Sequence, residues 1–200
     1  MKKSIGQVRT TAALVFAMIP MLMAKGPGAA SRFSMGVDAQ YTHRNDDQQW
    51  IGNYGAILSD TTHFTFAHLD QSTLSMTGRV NFTASPTLSL QLYTQPFVST
   101  GDFDNWRELR DPRAARYHDR FTPFGGTRNP DGFSFKQFNS NAVVRWEYRP
   151  GSTLFVVWQQ GRLRDQVLGR GFDFARDYRD LFRAHPDNTL LVKLAYWVNP

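Results

Sequence analysis

The residue types that most often carry catalysis are few and scattered in this sequence. Its five histidines belong to no metal-binding or nucleophile motif, and the G-x-S-x-G, P-loop, H-E-x-x-H and dinucleotide-binding patterns do not occur. His63 and His68 are an odd number of residues apart on a predicted strand, so they face opposite sides. Ser72 and Ser75 lie near His68, but serine is common on polar strand faces, and chance proximity is the better interpretation. The sequence therefore predicts no enzyme and no cofactor.

Acidic and basic residues cluster in one long polar stretch. Asp102-Phe103-Asp104-Asn105 begins like a calcium loop, but it lacks the glycine and the closing glutamate, so a solvated loop is the better interpretation. A run of arginines interleaved with acids follows. On an outer surface, four of these arginines would bind lipopolysaccharide phosphates through bidentate contacts, and pairing within the loop is the alternative. The four are Arg107, Arg110, Arg113 and Arg116.

The elements that must position these residues are strands. From residue 33 onward, apolar and polar residues alternate, which is the pattern of β-strands with two unlike faces. In the clearest segment, Val144 and Trp146 alternate with Arg145 and Glu147. Six segments follow this pattern, and residues 49–58 would raise the number toward eight. The six segments are 33–42, 62–82, 87–99, 136–149, 152–163 and 189–198.

Connections between these segments alternate in length. Tight turns at 83–86 and 149–152 contain proline or glycine, whereas 43–61, 101–136 and 163–188 are long and mostly polar. Short turns at one end and long loops at the other are typical of outer-membrane barrels. We therefore predict an all-β fold, an antiparallel up-and-down transmembrane β-barrel, of which this chain supplies six to eight strands.

The two faces of these strands lead to two sets of predicted positions. Polar residues opposite the apolar face would line the lumen: Arg79, Asn81, Gln91, Arg145, Glu147 and Lys193. Aromatic residues near strand ends would form a girdle at the membrane–water boundary: Trp146, Tyr148, Trp158, Tyr196 and Trp197. Alternation also fits a soluble periplasmic β-barrel or sandwich that binds an apolar ligand, and this is the alternative fold.

The N-terminal segment differs from the rest in charge. Residues 1–30 hold four of the 23 Lys and Arg residues and no acid, so the remainder carries 19 basic residues against 17 acidic ones. Lys2, Lys3 and Arg9 precede an apolar run and small residues, which predicts a signal peptide over 1–30 and a barrel domain over 31–200. A nucleic-acid partner is not indicated, and the absence of cysteine excludes thiolate metal sites and disulfides.

Several motifs resemble those of a family of outer-membrane proteins. They are LYTQPF at 92–97, ELRDPRA at 108–114, RWEYRPGS at 145–152, WQQGR at 158–162 and LVKLAYW at 191–197. Over about residues 33–200 the chain resembles the C-terminal barrel region of the uncharacterised DUF5916 family. The resemblance implies a predicted outer-membrane barrel that usually follows a module similar to family-nine carbohydrate-binding domains.

The resemblance also sets expectations about the whole protein. Members of this family are several times longer, with the carbohydrate-binding-like module and further strands ahead of the matching region. We therefore expect a truncated gene product, an incomplete gene model or a self-associating subunit, in that order. The expected location is the outer membrane of a Gram-negative cell. The expected partners are membrane lipid, lipopolysaccharide and a carbohydrate bound by the missing module, in a glycan- or solute-related role.

Overall fold

A computed structural model of the chain describes residues 9–18, 32–55, 62–126 and 130–198. Most of these residues lie in β-strands. The strands are β1 (Arg9–Met18), β2 (Phe33–Tyr54), β3 (His63–Ser85), β4 (Leu88–Leu109), β5 (Phe121–Pro123), β6 (Gly132–Arg149), β7 (Ser152–Gln166) and β8 (Pro186–Ala195). A single α-helix among the described residues, α1 (Phe174–Arg183), lies between β7 and β8, and a short 3-10 helix (Tyr117–Arg120) precedes β5.

The strands form one antiparallel sheet in up-and-down order. Each long strand pairs with its neighbours in sequence, so the order is β1-β2-β3-β4-β6-β7-β8, and the short β5 pairs with the end of β4. The predicted all-β antiparallel fold is thus confirmed. Within the described ranges β8 pairs only with β7, so no pairing closes the sheet. No helix in the described part of the chain has the length and apolarity that membrane crossing requires.

The strands extend well into the stretches that the sequence predicted as long loops. Pairing of β2 with β3 continues to Tyr54 and His63, and β4 continues to Leu109. Asp102 and Asp104 are therefore strand residues, and the prediction of a solvated loop there was wrong. Alternation cannot reveal these extensions because most side chains there are polar and register shifts break the period of two, while the backbone ladder does not depend on side-chain polarity. Residues 49–54 belong to β2 and add no separate strand.

A bulge builds a small core on the loop side of the sheet. The register of β3 with β4 shifts between Phe66 and His68, where Asn105 adopts a left-handed φ of 47°. The extra residue brings Phe103 and Trp106 to the same side, with ring centroids 6.4 Å apart. Trp106 there packs with buried side chains from β3 and the segment after β5, among them Ala67 and Phe124.

The tight turn between β6 and β7 depends on glycine. Gly151 has a φ of +77°, a left-handed conformation that side-chain-bearing residues rarely adopt. A β-carbon on Gly151 would also lie 3.1 Å from Trp197. The backbone N–H of Trp197 donates to the Ser152 hydroxyl at 3.0 Å, so the segment after β8 is attached to this turn.

The predicted signal segment is only partly described. Residues 9–18 form β1, which pairs with residues 37–45 of β2. The other residues of the segment lie outside the described ranges, and the signal peptide stays a prediction.

Candidate functional site

Antiparallel register aligns the long strands into rows across the sheet. We call the face that carries Leu90 the band face and the opposite face, which carries Gln91, the polar face. One row of the band face consists of Phe33, Phe82, Leu90, Val144, Val156 and Val192. The next row toward the loops consists of Met35, Val80, Leu92, Ala142, Trp158 and Leu190. The row toward the tight turns consists of Leu88, Trp146, Leu154 and Leu194. Every member of these three rows, the apolar band, is apolar.

Large parts of the apolar band are exposed. Trp146 is 47% exposed, and on β8 the exposed fractions of Leu190, Val192 and Leu194 lie between 61% and 67%. A continuous apolar surface on this scale is unusual for a monomer in water, and it marks a surface that contacts lipid, a ligand or another protein.

All six predicted lumen residues lie on the polar face. Asn81 is directly opposite Gln91, and Arg145 and Lys193 flank Phe155 in one row. Glu147 accepts a hydrogen bond from Arg145 at 3.2 Å. The sixth residue, Arg79, lies 5.6 Å from the ring centre of Tyr93. The register thus brings them to one side, while the lumen itself stays a prediction.

The five predicted girdle aromatics do not share one level. The rings of Trp146 and Tyr148 are 6.1 Å apart at the tight-turn end, and Tyr196 and Trp197 follow the last residue of β8 at the same end. Trp158 instead lies in the middle of β7, directly opposite Ala142 of β6. Ala142 is four residues from Trp146 on β6, so Trp158 lies about 13 Å from the level of Trp146 along the strands. Its indole N–H donates to Asn188 at 3.1 Å.

The four predicted anion-binding arginines separate into two groups. Arg107 is turned inward: it donates to the backbone oxygen of Asp47 and lies 5.2 Å from the ring centre of Phe121. Arg110, Arg113 and Arg116 are exposed, and none of the three forms an ion pair with a described residue. The predicted pairing within the loop is therefore absent from the described residues for these three, and they remain the candidates for phosphate binding.

Helix α1 packs on the band face, on the loop side of the apolar band. It begins at Asp173, whose carboxylate accepts the Arg176 backbone N–H at 2.7 Å, a standard N-cap. Its apolar side reaches the sheet through Phe182, which packs 5.2 Å from Phe138. The Tyr178 hydroxyl lies 2.7 Å from the Met76 sulfur.

A buried ion pair fixes α1 to β6. The Lys136 ammonium lies 3.2 Å from the Asp177 carboxylate and 3.8 Å from that of Asp180, and both Lys136 and Asp177 are almost completely buried. Burial alone would raise the pKa of Asp177. Hydrogen bonds from the Asp173 backbone N–H, from Arg176 and from Lys136 outweigh burial and lower the pKa below its ordinary value. At the other end of α1, Arg162 donates to the backbone oxygen of Ala184 at 3.0 Å.

Beside α1, three side chains form a polar row that the sequence pattern did not reveal. His43, Ser72 and Thr100 are directly opposite one another on β2, β3 and β4 and share the band face. Ser72 was considered beside His68, but His68 binds Asp47 at 2.7 Å instead. Residues about 29 positions apart meet only through the strand register, which alternation alone does not determine.

The remaining histidine geometry agrees with the predicted separation of His63 and His68. His63 binds Glu108 at 2.6 Å, on the opposite side of β3 from His68. In the part of the chain that the structure describes, no three His, Asp or Glu side chains are arranged to hold a metal ion.

Comparison with known proteins gives one match. A family model described as "Domain of unknown function (DUF5916)" matches residues 28–199. No curated protein and no solved structure matches the chain.

Proposed function

This chain belongs to the DUF5916 family, a domain family of unknown function, and we propose that it forms part of the wall of an outer-membrane β-barrel. In this proposal the apolar band contacts lipid, and the polar face lines the interior. The observation that carries the proposal is the uninterrupted, exposed apolar band, which crosses all the long strands from β2 to β8.

The dimensions of the band face support a membrane role. On β4, apolar residues continue from Leu88 to Val98 and are interrupted only by Thr94. Ten residues extend about 33 Å along a strand. With the tilt of about 40–45° that barrel strands adopt, this length corresponds to about 25 Å across the membrane, the height of the lipid-facing zone of such barrels.

The distribution of charge supports the same orientation. The apolar band itself carries no charge. Beyond it, the band face carries Lys136, Arg162 and Arg164, and helix α1 binds the first two. The unpaired charges Arg79 and Lys193 lie instead on the polar face. A charged side chain facing lipid costs about 2–4 kcal/mol near the bilayer centre, so this segregation is what a lipid-contacting surface requires.

The alternative is a soluble periplasmic β-barrel or sandwich whose apolar face binds an apolar ligand. In that arrangement the apolar band would face inward and the polar face would face water. A small apolar hollow beside Lys193, formed by Phe155, Val157 and Leu191, shows that the polar face also has apolar positions. The membrane proposal is preferred because the described residues form one sheet whose apolar band lacks a second covering layer.

Single-cysteine labelling in membranes tests the proposal, and the native chain has no cysteine to interfere. Leu90→Cys and Gln91→Cys are neighbours on β4 with opposite faces, and Val192→Cys and Lys193→Cys form a matched pair on β8. In outer-membrane fractions, we expect a water-soluble maleimide to label positions 91 and 193 at least tenfold faster than positions 90 and 192. Equal labelling within each pair, or recovery of the chain in the detergent-free periplasmic fraction, contradicts the membrane proposal.

The proposal also includes a binding partner at the arginine segment and a role for the whole protein. Lipopolysaccharide phosphates would bind at Arg110, Arg113 and Arg116, which are exposed and lack acidic partners among the described residues. A glycan- or solute-related role would follow from the carbohydrate-binding-like module that the family resemblance implies, with the charged polar face selecting what passes.

A further inference from the structure

We propose that the polar row beside α1 is an esterase site, in which Ser72 is the nucleophile, His43 the general base and Thr100 the oxyanion donor. Its substrate class is a neutral carboxylic ester with a short apolar acyl chain. This activity goes beyond a barrel wall and does not depend on it, since the row exists in the sheet itself.

The nucleophile and the base are within hydrogen-bond distance. Ser72 Oγ lies 3.2 Å from His43 Nδ1 and 3.1 Å from the Tyr41 hydroxyl. Ser72 is only 8% exposed, and these two contacts hold its hydroxyl in place. A serine hydroxyl is a weak nucleophile by itself, and an adjacent imidazole that accepts its proton is the usual means of activation.

Two further side chains orient and stabilise the imidazole. Asp70 Oδ1 lies 3.5 Å from His43 Nδ1, close enough to stabilise the positive charge that appears when the ring is protonated. The other ring nitrogen, Nε2, lies 3.5 Å from the Asn45 side-chain nitrogen Nδ2. Rotation of that amide by 180° places its oxygen there, so that it accepts the Nε2 N–H and leaves Nδ1 free to act as the base.

Thr100 supplies the feature that separates this row from an ordinary polar patch. It is the cross-strand neighbour of Ser72, is only 2% exposed and lines the same hollow. Its hydroxyl makes no hydrogen bond with any residue that the structure describes. The hydroxyl is not fully enclosed, so it is free to donate to an oxyanion formed beside the nucleophile.

The hollow defines the substrate. It has a volume of about 290 Å³, near the lower end of the range for small-molecule sites, which favours a short acyl chain. Leu74 and Val98 lie one row from Ser72 and Thr100, toward the apolar band, and the rings of Tyr41 and Phe172 line the hollow itself. The carboxylates of Asp70 and Asp102 line the opposite side and would repel anionic substrates such as phosphodiesters.

The reaction balances with water as the only co-reactant. Ser72 Oγ attacks the ester carbonyl carbon while its proton moves to His43 Nδ1, and the Thr100 hydroxyl donates to the resulting oxyanion. The tetrahedral intermediate collapses, the C–O bond to the alcohol breaks, and the alcohol takes the proton from His43. Water then attacks the acyl-serine with His43 as base, which releases the carboxylic acid and restores the Ser72 hydroxyl.

The test uses the purified full chain with a fluorophosphonate probe and p-nitrophenyl butyrate. We expect covalent labelling, an adduct on Ser72 by peptide mass spectrometry, and ester hydrolysis. Ser72→Ala should abolish labelling and hydrolysis, whereas Ser75→Ala, on the other face of the same strand, should leave both unchanged. Thr100→Val should lower kcat about 10²-fold without preventing labelling.

Variants of the base give a second readout. His43→Gln should lower the labelling rate by at least tenfold, and His68→Gln should not change it. Circular dichroism and mobility on electrophoresis show whether each variant keeps the sheet. The proposal is overturned if the wild-type chain is neither labelled nor active, or if a folded Ser72→Ala variant is labelled and active as before.

Discussion

At the level of single residues, the three exposed arginines of the segment after β4 separate from the fourth. Arg107 is held between Asp47 and Phe121, whereas Arg110, Arg113 and Arg116 are exposed and have no acidic partners among the described residues. An exposed arginine without a partner is free to bind a phosphate with its planar pair of N–H donors.

We therefore expect Arg110→Gln/Arg113→Gln/Arg116→Gln to weaken binding to lipopolysaccharide-containing vesicles by about tenfold or more at low salt. The loss should shrink as salt is raised, because exposed charges are screened. Vesicle flotation at several salt concentrations measures the effect. The matched control removes the same charge elsewhere, with Arg32→Gln/Arg79→Gln/Arg149→Gln. If both triple variants lose binding equally, the effect is net charge, and the arginine site is not supported.

At the level of elements, α1 is attached to the sheet by a contact that depends on protonation. The pKa of Asp177 is lower in the folded chain than its ordinary value, so the folded state stabilises the ionised carboxylate. A group of this kind contributes stability that is complete above its unfolded pKa of about 4 and is lost as the pH falls through the lower folded value. The attachment of α1 should therefore weaken below about pH 4, while the sheet persists.

Hydrogen exchange at pH 6 and at pH 3, corrected for the intrinsic rate, measures this effect in α1 and in β6. We expect protection of α1 to fall at the lower pH by about tenfold or more and protection of β6 to change less. Asp177→Asn removes the titrating group, so its α1 should be weakly protected at both values. An Asp177→Asn variant with the same pH dependence as the native chain would contradict the role of this carboxylate.

The elements also show how far the sequence predicts the structure. Alternation located six of the seven strands in the main order of the sheet and both tight turns, because a strand with one apolar face leaves a period of two in the sequence. It did not predict β1, which lies in the predicted signal segment. It missed the far ends of β2 and β4, where register shifts break the period of two, and it could not foresee the bulge at Asn105 that turns Trp106 inward.

The candidate sites were predictable to different degrees. The residues of the polar face could be assigned together because parity along each strand is sufficient to separate the two faces. The row of His43, Ser72 and Thr100 could not be predicted, since it depends on the register of β2 with β3 and of β3 with β4. A shift of two residues in either register would separate its members.

At the level of the whole molecule, the outer edge of β8 is the feature that most needs explanation. Within the described ranges β8 pairs only with β7, and its leucine and valine side chains are exposed. In lipid, each backbone group left without a hydrogen-bond partner costs several kcal/mol, so a membrane-spanning sheet has to pair this edge. The main order of the sheet has seven strands, and each runs opposite to its neighbours, so β1 and β8 run in the same direction. Pairing of β8 with β1 would therefore be parallel. Two-fold pairing with β8 of a second copy is antiparallel and keeps the order of the sheet.

The sequence of β8 is suited to such pairing. A two-fold axis at Val192 places Leu190 opposite Leu194 of the second copy and Leu191 opposite its Lys193, so the apolar band continues across the junction.

In membranes under mild oxidation, we expect Val192→Cys to form an intermolecular disulfide, since directly opposite residues bring their β-carbons within about 4.5–5.5 Å. Leu190→Cys alone should not cross-link, because the two copies of residue 190 would lie about 13 Å apart along the strands, whereas Leu190→Cys/Leu194→Cys should. Cross-linking that does not distinguish these three variants, or a monomer in every case, would show that β8 pairs in another way. The distinction between positions 190 and 192 matters most, because random collision in the membrane would cross-link both.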